Sequence, residues 1–189
     1  MSLKSFPSKK DYRRSLRTSL ISQFLFNEPI KKEFSSFGTV LFDKKITNLI
    51  HCPITATGKY VIPDSVESIG IEAFAQCKGI TELILPAKLK TIGCLAFQNC
   101  TGLTTVLIPN SLEEMGYRIF SNCTGLKSIL MQADSPIEFA EELDIFHNVN
   151  KDNVTLYVPF GTKGNYRMAN QWKEFKKIVE SDILPDCLI

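Results

Sequence analysis

The sequence repeats itself every 23 residues, and this repeat constrains the fold more than any other feature of the chain. Five columns keep the spacing across three copies, which excludes a chance match. These columns are a proline, a glycine, a phenylalanine, a cysteine and a second glycine: Pro63, Pro86, Pro109; Gly70, Gly93, Gly116; Phe74, Phe97, Phe120; Cys77, Cys100, Cys123; and Gly79, Gly102, Gly125. One copy carries only about eight apolar side chains, too few for a core, so the copies must stack and bury them against one another as a solenoid.

Each copy has two sides with different spacings. Leu83 and Leu85 alternate with a residue on the other face, which predicts a strand. Pro86 ends this strand because proline cannot donate the next hydrogen bond of a sheet. Apolar residues then follow at positions 89, 92, 96 and 97, and these intervals of three and four predict a helical or 3₁₀ turn on the second side of the coil.

The repeat resembles the BspA-like branch of the leucine-rich repeats, whose unit reads I-P-x-x-V-x-x-I-G-x-x-A-F-x-x-C-x-x-L. Residues 62–80 (IPDSVESIGIEAFAQCKGI) match that unit almost throughout, and residues 85–103 match nearly as well. The third copy departs from it at Met115 and Ile119. Residues 38–53 are similar to the hairpin-bearing coil that often precedes such repeats, and residues 156–180 to their closing segment in proteins of gut bacteria.

The predicted fold class is therefore α/β: a short right-handed leucine-rich-repeat solenoid, strand-rich, with 23-residue coils and a C-terminal capping helix. We expect one domain over residues 37–180, with an opening hairpin coil at 37–59, regular repeats at 60–131, and an irregular degenerate coil and cap at 132–180. Apolar residues from Tyr166 to Ile178 predict the capping helix, which a solenoid needs to cover its open end. Residues 1–36 are expected to be a basic segment, helical or flexible, and 181–189 a tail.

Charge and hydropathy exclude several classes of function. The whole chain carries a net charge of +2, which gives no reason to expect nucleic acid as a partner. Residues 1–36 hold eight basic and three acidic residues, a local net charge of 8 − 3 = +5. The apolar stretch Leu20–Phe26 that follows the basic start is short, interrupted by Ser22 and Gln23, and has no cleavage motif after it, so we predict no signal peptide in this chain. No apolar run is long enough for a membrane span.

The outward positions of the predicted strands are the candidate partner-binding site. These positions are apolar in every strand: Val61, Ile84, Leu107, Leu130 and Tyr157. Glu82, Thr105 and Ser128 lie beside them on the same face and belong to the same candidate site. Three explanations remain open. The residues reflect strand propensity alone, or Leu16–Phe26 covers them with apolar residues at helical spacing (16, 20, 21, 24 and 25), or they form a face for a protein partner. A one-residue error in register would invert the whole set.

Catalytic and metal chemistry find little support in the sequence. The cysteine column has a spacing of 23 residues and no histidine alongside, so we interpret it as buried thiols and predict neither a metal site nor a cofactor. Cys52, Cys94 and Cys187 show no partner pattern. His51 and His147 are isolated, and Asp144 beside His147 is interpreted as incidental. The Asn-Cys-Thr sequons at Asn99 and Asn122 follow from the repeat itself.

The predicted function is a non-catalytic protein-binding module that works through its open sheet face. The family resemblance implies a secreted or cell-surface adhesion protein whose partner is a protein, such as a host extracellular protein; a cytoplasmic location is the alternative. A structural or self-associating module is the second possibility, with the apolar face covered by the N-terminal segment or by a homodimer. An enzyme ranks last.

Overall fold

The computed structural model describes residues 34–37, 40–138 and 141–181, and residues 1–33, including the predicted helix at Leu16–Phe26, lie outside this description. The described chain contains one α-helix, α1 (Lys163–Met168), and 3₁₀ turns at Glu141–Leu143 and Trp172–Glu174. The strands are β1 (Phe34–Phe37), β2 (Val40–Asp43), β3 (Asn48–His51), β4 (Thr57–Val61), β5 (Ser68–Ile69), β6 (Gly79–Ile84), β7 (Thr91–Ile92), β8 (Thr105–Ile108), β9 (Glu114–Met115), β10 (Ser128–Met131), β11 (Thr155–Val158) and β12 (Lys177–Glu180).

The described strands form two sheets along the sides of a solenoid, which confirms the predicted architecture. Sheet A has the order β1-β2-β3-β5-β7-β9, and sheet B has the order β4-β6-β8-β10-β11-β12. Successive coils pair in parallel with a register of one repeat, so that Glu82 lies opposite Thr105, which lies opposite Ser128. Among the described strands, the antiparallel pairs are β1 with β2 and β2 with β3, and these strands open the stack. Strand β1 extends across the domain boundary expected at residues 36 and 37.

The helical turn predicted on the second side of each coil is only partly present, because a short strand of sheet A occupies its first half. Turns closed by hydrogen bonds three residues apart follow the strand, such as that from the N–H of Gln98 to the carbonyl of Leu95 at 3.0 Å. Ile69, Ile92 and Met115 are buried, whereas the residues before them are not, which is the alternation of a strand. The backbone amides of this side also bond between coils: the N–H of Gly93 donates to the carbonyl of Ile69 at 2.8 Å. A continuous helical turn would have satisfied the amide of Gly93 within its own coil.

A stack of phenylalanines fills the core between the two sheets. The rings of Phe74, Phe97, Phe120 and Phe146 lie on successive coils, with centroids 5.2, 5.2 and 5.6 Å apart. Phe146 continues the column into the degenerate coil at a spacing of 26 residues, and Ile145 before it is also buried. The pattern Ile-Phe-x-Asn, present at residues 119–122 and again at 145–148, is the sequence signal for this continuation.

The capping helix is much shorter than predicted. Helix α1 ends at Met168, Gln171 takes a positive φ of 64°, and Ile178 lies in β12, which adds a last strand to sheet B. The reason lies in the spacing: residues 166, 169, 172, 175 and 178 recur every three positions. On an α-helix with 3.6 residues per turn, that interval drifts by about 60° per step and cannot maintain one face. The end of the stack is closed instead by Trp172 and Phe175, whose rings meet Phe146 edge-on.

Candidate functional site: the outer face of sheet B

Side chains on sheet B alternate between the core and the outer face. Leu83, Val106 and Ile129 belong to the main core, whereas the residue after each of them packs in a separate cluster on the other side of the sheet. The outward residues pair across the strands in register and form a line, which we call the apolar row: Val61, Ile84, Leu107, Leu130, Tyr157 and Val179. The structure therefore brings the five predicted residues together on one face, and their role in binding stays a prediction.

Val179 is the member of the apolar row that sequence reasoning missed. It lies opposite Tyr157 in β12 and is 42% exposed. The missed signal is the strand pattern of residues 177–180, in which the buried Ile178 lies between two exposed residues. The pattern was obscured because the same residues were assigned to the capping helix.

A second line of residues, the polar row, runs parallel to the apolar row. Glu82 lies opposite Lys59 in β4 and opposite Thr105 in β8, and the line continues through Ser128 to Thr155. Lys177 extends it in β12. The hydroxyl groups and the charged ends of this row can form directional hydrogen bonds and ion pairs with a ligand that contacts the apolar row.

The apolar row is exposed at its ends and covered at its centre. Val61 and Val179, in the two edge strands, are 56% and 42% exposed. Leu107 and Leu130, in the two central strands, are only 7% and 3% exposed, and Ile84 and Tyr157 on either side of them are partly buried. Burial at the centre was not expected for an open binding face.

The cysteine column is buried, as expected for structural thiols. The thiols of Cys100 and Cys123 each donate to a backbone carbonyl of the preceding coil at 3.1 Å, so these sulfurs bond the coils together. The thiol of Cys77 donates in the same way to the carbonyl of Cys52, so Cys52 takes in the opening coil the place that Phe74 and Phe97 take in the coils that follow. A hydrogen bond with the neighbouring thiol, together with burial, raises the pKa of Cys52 and of Cys100 well above the ordinary value. Such thiols are poor nucleophiles.

Asp144 is not an incidental neighbour of His147, contrary to the prediction. Its Oδ2 atom lies 2.7 Å from Nδ1 of His147 and 3.2 Å from Nε of Arg118 on the preceding coil. The guanidinium of Arg118 also lies 4.9 Å from the centre of the Tyr117 ring. All three polar side chains are between 32% and 41% exposed. This arrangement is a surface ion-pair network between coils, and it joins the degenerate coil to the regular repeats.

Sheet A carries a shallow groove of about 270 Å³ on its outer side. Small polar and glycine residues form most of its lining, and Glu114 is the titratable residue among them: Asn48, Ser68, Ile69, Gly70, Ile71, Thr91, Ile92, Gly93 and Glu114. A single carboxylate with no second titratable group in the lining does not make an acid–base pair. Over the part of the chain that the structure describes, no group of three potential metal ligands occurs. None of the described helices is long and apolar enough to cross a bilayer.

Comparison with known proteins agrees with this geometry. The sequence matches the BspA type leucine-rich repeat region over residues 44–157, in six copies. Similar solved structures include a leucine-rich repeat protein from Eubacterium ventriosum, with a TM-score of 0.54 and 22% identity over 68% of this chain. Another is a leucine-rich cell surface protein from Faecalibacterium prausnitzii, with a TM-score of 0.58 and 21% identity over 80% of this chain.

The chain spans only 34% and 40% of the lengths of these two proteins. At this level of identity the likeness establishes the fold alone. No significant match was found among curated proteins. Since the family match extends over more than half of the sequence, the chain belongs to the BspA type leucine-rich repeat family.

Proposed function

We propose that the chain is a non-catalytic protein-binding module that holds a protein partner on the outer face of sheet B. The observation that carries this proposal is the apolar row, a continuous line of six apolar side chains on a face that the core does not use. A solenoid does not need apolar residues there for its own folding, and contiguous apolar surface commonly marks an interaction site.

The dimensions of the apolar row favour an extended or helical segment of the partner that lies across the strands. Six strands at the usual spacing give a row about 24 Å long. The polar row beside it places Glu82, Thr105 and Ser128 within reach of the same segment, where they would fix its register. The exposed ends, Val61 and Val179, are the positions where a partner would first make contact.

The setting that we propose is the cell surface or the secreted space, with adhesion to a host extracellular protein or to another cell. One of the similar structures is described as a cell surface protein, and this is the support for the location. Self-association is a second candidate function, favoured by the exposed ends of the apolar row, because a second copy could bury Val61 and Val179.

A binding screen of the full chain against host matrix proteins, serum proteins and bacterial surface proteins tests the proposal. Val61→Asp and Val179→Asp place a charge at the exposed ends of the row. Ile54→Asp is the matched control, because Ile54 is 64% exposed in the turn between β3 and β4, outside the row. Exposed substitutions of this kind change folding stability by less than about 0.5 kcal/mol.

We expect saturable binding of at least one protein and a loss of about tenfold in affinity for each row variant, which corresponds to about 1.4 kcal/mol. The control should bind like the unmodified chain, and circular dichroism should be the same for all proteins. Equal binding by the row variants and the control would show that the outer face of sheet B is not the working surface.

A further inference from the structure

Two cysteine thiols next to the opening hairpin converge on one backbone oxygen. The five cysteines in the described part of the chain are buried free thiols. Sγ of Cys52 lies 3.9 Å and Sγ of Cys77 lies 3.5 Å from the carbonyl oxygen of Pro53. We propose that Cys52 and Cys77 are the site of a reversible disulfide, formed with a low-molecular-weight disulfide as the oxidant, which bonds the opening coil to the first regular coil.

These two thiols approach each other from different positions in their coils. Cys77 donates to the carbonyl of Cys52 on the preceding coil at 3.6 Å, whereas Cys52 donates within its own coil, to Pro53. The thiol of Cys52 also donates a hydrogen bond to the sulfur of Cys77. An unstrained disulfide needs its two Cβ–S bonds to lie at about 90° to each other across the S–S bond. Side chains that start from unlike positions reach this angle by rotation about their own bonds.

The pair formed by Cys100 and Cys123 lacks this freedom. Both thiols donate to the carbonyl of the residue 26 positions earlier, each at 3.1 Å, so the two side chains take the same place in successive coils and point the same way. Parallel side chains one coil apart give a dihedral angle of about 0° across the two sulfurs, far from the angle of about 90° that a disulfide prefers. Oxidation of this pair would force at least one thiol to leave its backbone carbonyl. The geometry therefore selects Cys52 and Cys77.

Cys77 is the thiol suited to begin the reaction. The hydrogen bond from Cys52 lowers the pKa of Cys77 and raises the pKa of Cys52. The thiolate of Cys77 attacks one sulfur of the small disulfide R–S–S–R, forms a mixed disulfide and expels one RS⁻. Cys52 then loses its proton and attacks Sγ of Cys77, which expels the second RS⁻. The two protons of the protein thiols pass to the two RS⁻ ions, so two protein thiols are oxidised and two molecules of RSH are formed.

The place of this pair in the stack favours access by a small reagent. Cys52 and Cys77 are both 0% exposed, so the reaction requires a local opening of the fold. Cys52 precedes β4, the edge strand of sheet B, and the terminal coils of a solenoid open at a lower free-energy cost than the inner ones. The loop that the bond closes contains β4, so oxidation holds this edge strand and its exposed Val61 in place. The inference does not depend on the function proposed above.

Oxidation of the folded full chain with hydroxyethyl disulfide, followed by peptide mapping without reduction, tests the proposal. Remaining free thiols are blocked with N-ethylmaleimide before digestion, so that disulfides do not exchange. Trypsin places the relevant cysteines in separate peptides: Cys52 in 46–59, Cys77 in 60–78, Cys100 in 91–118 and Cys123 in 119–127. Cys77→Ala removes the proposed bond. Cys100→Ala is the matched control, because it removes a buried thiol of the same column and leaves the proposed pair intact.

We expect the peptides 46–59 and 60–78 to be linked in the unmodified chain and in the control, with a rise in Tm of about 5–10 °C that dithiothreitol reverses. Cys77→Ala should show neither the link nor the rise. The proposal is overturned if the folded chain keeps all its buried thiols, if the main link joins 91–118 to 119–127, or if the expected link forms only in urea. A link that leaves the Tm unchanged or lowers it would also overturn the proposal. Because no partner enters this experiment, a failed binding screen would count against the proposed function alone.

Discussion

The side-chain amide of Asn122 donates a hydrogen bond of 2.8 Å from Nδ2 to Oδ1 of Asn99, one coil earlier. Oδ1 of Asn122 in turn accepts from Nδ2 of Asn148 at 2.8 Å, so three asparagines join three successive coils. All three residues have a positive φ, between 57° and 60°. Asparagine suits these three positions for two reasons. It tolerates the left-handed backbone conformation, and its side-chain amide can both donate and accept a hydrogen bond.

Replacement of Asn122 should separate these two roles. Asn122→Gly keeps the backbone conformation and loses two side-chain hydrogen bonds, for which we expect a loss of about 1–2 kcal/mol in the free energy of unfolding. Asn122→Ala should lose about 1 kcal/mol more, because alanine is strained at positive φ. Urea unfolding followed by circular dichroism measures both. If the two variants prove equally stable, the conformational part of the argument is wrong.

Gly102 is required because the coils approach each other too closely for a side chain. A Cβ atom at this position would overlap the carbonyl oxygen of Lys78 on the preceding coil. Gly102→Ala should therefore destabilise the fold by about 1–3 kcal/mol or more, since backbone atoms would have to move. Gly164 in α1 has open space around it, so Gly164→Ala should be neutral or stabilise by about 0.5 kcal/mol. Similar effects for both in thermal unfolding would contradict this explanation.

The repeat made the solenoid predictable, because equal spacing of buried residues leaves stacking as the way to bury them. The apolar row followed from alternation, and Ile84, Leu107 and Leu130 lie on the face opposite the core, as that alternation requires. The second sheet was missed because Thr91 and Ile92 form a strand of only two residues, too short for a period of two to be visible. The hydrogen bonds of sheet A join neighbouring coils, and a local sequence pattern cannot predict bonds between residues so far apart in the chain.

Two further features could not be predicted, for different reasons. The pairing of Asp144 with Arg118 depends on how the degenerate coil stacks at a spacing of 26 residues instead of 23. The burial of Leu107 and Leu130 depends on the surroundings of the sheet face, and alternation along a strand identifies a face but not how exposed it is. The face of a candidate site can thus be read from a repeat, whereas its accessibility cannot.

Phe97, one of the two inner rings of the phenylalanine stack, should be among the most sensitive positions of the core. Phe97 lies 5.2 Å from both Phe74 and Phe120 and is 1% exposed. Phe97→Ala should lower the free energy of unfolding by about 3–5 kcal/mol through the lost apolar contacts and the cavity. Phe97→Leu, which fills most of the space, should cost clearly less.

The solenoid architecture also predicts where the damage of Phe97→Ala appears. Each coil contacts only its neighbours, so hydrogen exchange should accelerate first in the coils around residue 97, while residues near Phe175 stay protected longer. Uniform acceleration over the whole described chain would show that the coils unfold as one unit.

High pH should destabilise the fold through buried groups that resist ionisation. Burial raises the pKa of Tyr60 to about 12, from an ordinary value of 10.0. Between these values the unfolded chain loses the phenolic proton and the folded chain keeps it, so the free energy of unfolding falls as the pH rises. Cys100, whose pKa is also raised by its hydrogen bond with the Cys123 thiol and by burial, should add to the fall from about pH 9 upward.

Tyr60→Phe isolates the contribution of Tyr60, because it keeps the ring whose centroid lies 5.6 Å from that of Phe74 and removes the ionisable hydroxyl. Urea unfolding at several values between pH 8 and about pH 11.5 should give a shallower decline for the variant above pH 10, with the decline due to Cys100 and to the buried Tyr166, whose pKa burial also raises, retained. The thiol contribution can be measured in the same series with Cys100→Ala, whose small apolar side chain has no proton to lose. A decline as steep in Tyr60→Phe as in the unmodified chain would mean that Tyr60 ionises as readily in the folded chain as in the unfolded one, and hence that its hydroxyl is not held away from water.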